Sequence, residues 1–235
     1  DADDVIRVDT GVYSLATNIV LNTQDSGVTI RGPQQATHDA VLDRGNRNSI
    51  GHVFTLAGAD NIRLDHLTIT GGYYGVYGSS TADSNDVTVS NSHIHDNQQT
   101  GIHAEAGNDR FTVTGNVVEW HFGNGIALAG ADSRVEGNEV WRVSGDGISV
   151  SGVRARVLDN VVYGSGNDGI TVNAGNVGEA DRGLVQGNRV FDNRYGITVS
   201  NDTTAVGNET WGNSADGLRA YYGGSRLEDN VSWGN

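Results

Sequence analysis

A glycine followed by an apolar residue returns along most of this chain at nearly constant intervals, with the glycine at Gly75, Gly101, Gly125, Gly147, Gly169, Gly196 and Gly217. The steps are 26, 24, 22, 22, 27 and 21 residues. A period near 22 that stretches without losing phase belongs to a solenoid, in which each coil touches only its neighbours and the turns lengthen freely. Each unit reads Gly-apolar-x-apolar, a polar turn, then Val-x-Gly/Asp-Asn-x-Val, as in "GISVSGVRARVLDNVV". Both segments alternate with period two, which makes them strands, and glycine interrupts them too often for helices. Alternation points Ile102/Ala104, Ile126/Leu128, Ile148/Val150, Ile170/Val172 and Ile197/Val199 into the core.

A second column fixes the same register. Asn116, Asn138, Asn160, Asn188, Asn208 and Asn230 hold one place in successive units, with Ser92 there one coil earlier. Asparagine tolerates tight-turn backbone, and stacked amides hydrogen-bond from coil to coil, so the column predicts an asparagine ladder. With 34 Gly against a single Pro, Pro33, the chain is built for many turns.

These motifs over residues 60–235, with the opening "DDVIRVDTGVYSL", resemble the right-handed parallel β-helix proteins of the pectin-lyase-like superfamily. The resemblance implies an all-β, single-stranded right-handed parallel β-helix, a β-solenoid of about ten coils of about 22 residues. Residues 1–235 form one domain, irregular over 1–60 and regular over 61–235, and the chain reads as a segment of a larger protein. "PQQATHDAVLDRGNRNSIGH", residues 33–52, reads as a longer excursion from the stack. Relatives of this kind include polysaccharide lyases, glycosidases, alginate C5-epimerases, NosD-like periplasmic proteins and bacterial surface proteins. One scaffold thus carries many functions.

Charge and composition narrow them. The chain has 29 acidic residues against 15 basic ones, all arginine, for a net charge of −14, which repels nucleic acid. Cysteine and methionine are absent, excluding disulfides and thiol chemistry. No run of 18 apolar residues offers a membrane span. A secreted, cell-surface or periplasmic location is the expectation.

Three groups of outward residues are candidates for function. Five of the seven histidines, His66, His93, His95, His103 and His121, lie within residues 66–121, and Tyr77, His103, Glu105 and His121 would supply the base and proton donor that a uronate lyase or C5-epimerase needs. Two other readings of these histidines stand beside it: ordinary turn residues, or a zinc or copper site built on His93 and His95. Against the enzyme stand the missing Asp-Pro-His-Glu motif of alginate epimerases and the lack of an outward arginine in the early coils. The middle of the same face is a strip of Ala, Ser, Thr and Asn without acid, base or cation.

Asp146, Asp168 and Asp216 precede repeat glycines, with Asn124 at the same place and Tyr195 interrupting, and they read either as turn residues or as carboxylates that share calcium, the one cofactor the pattern admits and none being required. Three residues past the asparagine column stand Trp141, Tyr163, Phe191, Trp211 and Trp233. Alternation makes them outward, a row of ring faces suited to sugars or to a neighbouring protein copy. The alternatives are that a segment of the chain covers the row, or that the register slips and the rings are core.

The favoured reading is a structural or carbohydrate-binding domain that meets a polysaccharide, or another copy of itself end to end or laterally, through the aromatic column. The competing reading is a lyase or epimerase on an acidic polysaccharide.

Overall fold

The computed structural model describes residues 4–35 and 39–235, with Glu179 described by its backbone alone. The chain winds as a right-handed solenoid in which each coil gives one strand to each of three parallel sheets. Sheet A runs through ten strands from Val5–Arg7 to Arg226–Glu228, and sheet B through ten from Gly11–Ser14 to Val231–Trp233. Sheet C has nine, from Ile19–Asn22 to Leu218–Tyr221. Among the described residues helix is confined to two short 3-10 turns, Thr23–Asp25 and Glu179–Asp181, and no helix there is long and apolar enough to cross a membrane.

The register is that of the repeat. Ile102, Ile126, Ile148, Ile170 and Ile197 pair directly in sheet C, and all five are fully buried. Sheet B contributes Val118, Val140, Val162 and Val190, and sheet A contributes Val113, Val135, Val157 and Val185, each without solvent exposure. Three inward columns of Val and Ile thus fill a narrow core, each side chain contributing roughly 1.5–3 kcal/mol.

The asparagine ladder closes the corner between sheets A and B. Asn138 Nδ2 donates to Asn160 Oδ1 at 3.0 Å, and Asn160 Nδ2 to Asn188 Oδ1 at 3.0 Å. The same oxygens accept the backbone N–H of the preceding coil, 2.9 Å in both cases.

A second ladder, five residues further on, closes the corner between sheets B and C. Here Asn193 donates to Asn213 at 3.2 Å and Asn213 to Asn235 at 2.7 Å, while Asn97, His121 and Ser165 hold the equivalent place in earlier coils. The pattern Asn-x-x-x-x-Asn is visible at 188/193, 208/213 and 230/235, and it escapes notice because His121, Val143 and Ser165 interrupt it.

The early coils are more regular than their sequence. The excursion expected over 33–52 contains Ala40–Asn46, the longest strand, which pairs in sheet B with Gly11–Ser14 on one side and Thr68–Gly72 on the other. Ala40 and Leu42 point into the core, which an alternation of only two apolar residues understates. Residues 36–38 of that segment lie outside the described residues.

Candidate functional site

Parallel pairing stacks the outward residues of sheet C into one line: Tyr77, His103, Ala127, Ser149, Thr171, Thr198 and Arg219. Large groups stand at both ends of the line and small ones between, so the face is a trough with a floor of Ala, Ser and Thr. From His103 to Arg219 are five coil steps, about 24 Å at the spacing of paired strands. It holds an open cleft of about 470 Å³ between His103, Glu105, Ala127, Ala129, Ser149 and Ser151.

The wall at the early end is a knot of rings. His103 stacks on Tyr74 at 4.8 Å and on Tyr77 at 5.9 Å, and His52 lies against Tyr77 at 4.6 Å. Tyr77 donates its phenol proton to Glu105 Oε1 at 3.0 Å, and the N–H and Oγ of Ser80 donate to Glu105 Oε2 at 3.0 and 2.8 Å. The Ser80 donors hold the Glu105 carboxyl below its usual range.

Burial holds both phenols, Tyr74 and Tyr77, above theirs, and the bond to Glu105 adds to this for Tyr77. Burial pushes His103 down against the opposing pull of Glu105, and pushes His52 down to about 4, with help from the nearby His103 and Arg44. At neutral pH the wall therefore carries an ionised Glu105, protonated tyrosines and a neutral His103. The Nδ1 of that imidazole is buried without a hydrogen-bond partner, and its Nε2 stands 3.9 Å from Glu105, too far for a bond.

Of the four residues expected to act together, three meet. Tyr77, His103 and Glu105 share this wall, whereas His121 is 2% exposed and serves as a rung of the second ladder, its Nδ1 accepting the N–H of Asn97 at 3.2 Å. A rung faces the corner of the solenoid, which separates it from the trough.

The strip is not free of charge at its far end. Arg219 reaches back across Thr198 to Asp168, with Nη2 2.6 Å from Oδ1, and its guanidinium lies 3.4 Å from the centre of the Tyr195 ring. It also donates to Thr198 Oγ1 at 2.8 Å, and Thr198 in turn donates to Asp168. Asp146, one coil before Asp168, accepts from Asn167 Nδ2 at 2.6 Å and is raised by burial above its usual range. Sequence spacing missed this cluster because Asp168 and Arg219 are 51 residues apart; the signal was Tyr195, which breaks the aspartate column in the coil between them.

That pairing also bears on calcium. Asp168 is already neutralised by Arg219, and the side chain of Asp216 is exposed. Among the described residues no group of three or more His, Asp or Glu is arranged to hold a metal ion. His93 and His95 are outward, as alternation requires, but each has its own carboxylate, Glu119 at 2.9 Å and Asp96 at 2.8 Å.

On sheet B the aromatic column is outward and in register, and no slip has made it core. Its faces, however, are turned onto one another. Trp141 stacks on Tyr163 at 5.7 Å, Tyr163 on Phe191 at 4.9 Å, Phe191 on Trp211 at 4.4 Å and Trp211 on Trp233 at 5.1 Å, with planes within 16° of parallel. Coils repeat at nearly the distance at which rings stack, so rings at one register position satisfy each other and show solvent their edges. A row of open ring faces, the arrangement expected for gripping sugars, is not formed.

The family described as the right handed beta helix region matches residues 5–139 and 128–210. No curated protein sequence matches the chain. Among solved structures, the enzymatically active domain of tailspike protein 2 of bacteriophage CBA120 superposes with a TM-score of 0.66 at 16% identity, over 99% of this chain and 39% of that one. Pectate lyase Pel9A gives 0.63 at 17% identity, covering 98% and 68%. The A-module of the Azotobacter vinelandii mannuronan C-5 epimerase AlgE4 gives 0.60 at 18%, covering 96% and 68%. The chain thus spans about two fifths of the tailspike domain it matches.

Proposed function

The chain belongs to the right-handed β-helix family, and from that premise we propose that it is an extracellular or cell-surface domain that binds a polysaccharide along the outer face of sheet C. The observation that carries the reading is the trough itself. A continuous floor of Ala127, Ser149, Thr171 and Thr198 runs between a ring wall at His103 and the Arg219 cluster, leaving room for an extended chain laid across the coils. Ala127 and Ala129 supply apolar surface for sugar C–H groups, and the hydroxyls of Ser149 and Ser151 supply hydrogen bonds. The solved neighbours, which include a pectate lyase and a mannuronan epimerase, make a polysaccharide the leading class of ligand.

This moves the binding surface from the aromatic column of sheet B, whose faces are occupied, to sheet C. The test is a calorimetric titration with polygalacturonate, alginate and a neutral glucan against the wild type, Ser149→Trp and Val231→Trp. A tryptophan at 149 fills the trough floor and should abolish binding, while the one at 231, an outward and exposed position of sheet B, should leave it. Equal binding by all three proteins would sink the trough reading.

One observation favours a catalytic second reading: the neutral imidazole of His103, whose Nε2 makes no hydrogen bond, stacked beside the protonated phenol of Tyr77. That pair has the protonation states needed to take a proton from one atom of a sugar and return one to another. Arg44, close to His52, is bonded to Asn18 Oδ1 and the Leu15 carbonyl rather than aimed at the trough, so on this reading the domain is a slow enzyme or one completed from outside these residues. Ultraviolet absorbance of unsaturated product and solvent-proton exchange at C5 read it out, and both should vanish in His103→Ala.

A further inference from the structure

At the corner leading from sheet B toward sheet C, the residue four places past the first ladder adopts left-handed backbone in each of the eight coils from Gly71 to Gly234. Gly71, Gly164, Gly212 and Gly234 meet that demand without cost, and Asp96 and Asp192 meet it with a short polar side chain. Two adjacent coils depart from the rule: Trp120 sits there at φ +57° and Arg142 at φ +50°. A bulky side chain held in this region is strained, and strain of this kind persists where the side chain is needed.

These two residues lie together. The Arg142 guanidinium stacks 4.9 Å from the Trp120 ring and 4.6 Å from that of Trp141, so it caps the aromatic stack of sheet B. Trp120 is 50% exposed and Phe122 beside it 68%, the two largest aromatic exposures in the middle of the solenoid. With Arg47 and Asp96 they line a pocket of about 410 Å³. Two guanidinium groups face one carboxylate there, and Asp96 is already bonded to His95. In a chain of net charge −14, this is a local positive site beside two exposed aromatic rings.

We propose that this corner pocket binds a single anionic pyranose, carboxylated or sulfated, with the sugar ring packed on Trp120 and Phe122 and its acidic group held by Arg142 and Arg47. Sugar C–H groups carry partial positive charge that suits the face of an aromatic ring, and a planar guanidinium pairs with a carboxylate or sulfate through two parallel hydrogen bonds. The inference builds on the polysaccharide reading but uses a different face, so the two stand or fall separately.

The test is NMR titration of the Trp120 indole N–H and the Arg142 Nε–H with D-glucuronate, D-glucose 6-sulfate, D-glucose and acetate, on the wild type and Trp120→Gly. Gly is the residue that four other coils carry at this position, so Trp120→Gly removes the ring and the strain together. Saturable shifts from one or both anionic sugars, with glucose and acetate at least about tenfold weaker, are expected; which anion binds tells carboxylate from sulfate.

In Trp120→Gly the Arg142 response should vanish while the Tm holds or rises, and sheet C binding should be unchanged. The proposal is overturned if neither anionic sugar shifts the signals, if glucose or acetate matches them, or if the response survives in Trp120→Gly. A fall in Tm beyond about 4 °C in that variant would also overturn it, by showing that the ring serves stability.

Discussion

His121 Nδ1 accepts the backbone N–H of Asn97, one coil earlier, at 3.2 Å, in the place that asparagine oxygens take elsewhere in the same ladder. The acceptor role requires the neutral imidazole with its proton on Nε2. Burial pushes the group down to about 4, opposed by hydrogen bonds to the Asn97 and Ile94 backbone.

The sign of the consequence follows from linkage. A histidine lowered from 6.5 to about 4 contributes stability that is complete above 6.5 and is lost as the pH falls toward 4, because the unfolded chain takes up the proton first. His121→Asn restores the usual rung and removes that dependence. Urea midpoints should agree at pH 7.5 and favour His121→Asn at pH 4.5; part of the slope should remain, since His52 is also lowered to about 4.

Asn160 is a fully buried rung whose oxygen accepts from both the N–H and the amide of Asn138. Asn160→Ala leaves those donors without an acceptor in a place water does not reach, at a cost of roughly 2–5 kcal/mol. Asn230→Ala, in the last coil and only part-buried, should cost less than half as much in the same urea unfolding experiment.

The aromatic column acts in stability before it acts in binding. Trp211 stacks on a ring on each side, at 4.4 and 5.1 Å, so Trp211→Ala should lose about 1–3 kcal/mol. Trp233 has one stacked neighbour and should lose about half of that. Polysaccharide titrations of both variants should match the wild type.

Arg219 and Asp168 form an ion pair with side-chain exposures of 14% and 9%. Arg219→Gln strands a buried carboxylate and should cost about 3 kcal/mol in urea unfolding. Asp168→Asn together with Arg219→Gln should recover much of it, and a double-mutant cycle measures the coupling.

Much of this molecule was legible because one period governs it. The glycine steps place every coil, and alternation decides which side chains of a strand face in, so Ile126 and Val140 were identifiable as core and Trp141 as outward without coordinates. The first ladder was equally plain, since six asparagines share one position. His121 was misplaced because it fills a rung of a second ladder written mostly in another residue type. Trp120 and Arg142 were passed over because composition does not reveal a left-handed backbone.

By itself, then, the sequence determined the coil, its register and the side of the sheet on which each residue stands, since these depend on local periodicity and on contacts with the next coil alone. The tertiary structure decided what happens between outward residues. Coil spacing turned a row of aromatic rings face to face, brought Arg219 over one coil to Asp168, and gathered Tyr74, Tyr77 and His103 into one wall. Those outcomes depend on distances and ring orientations across coils, which the order of residues along a strand does not contain.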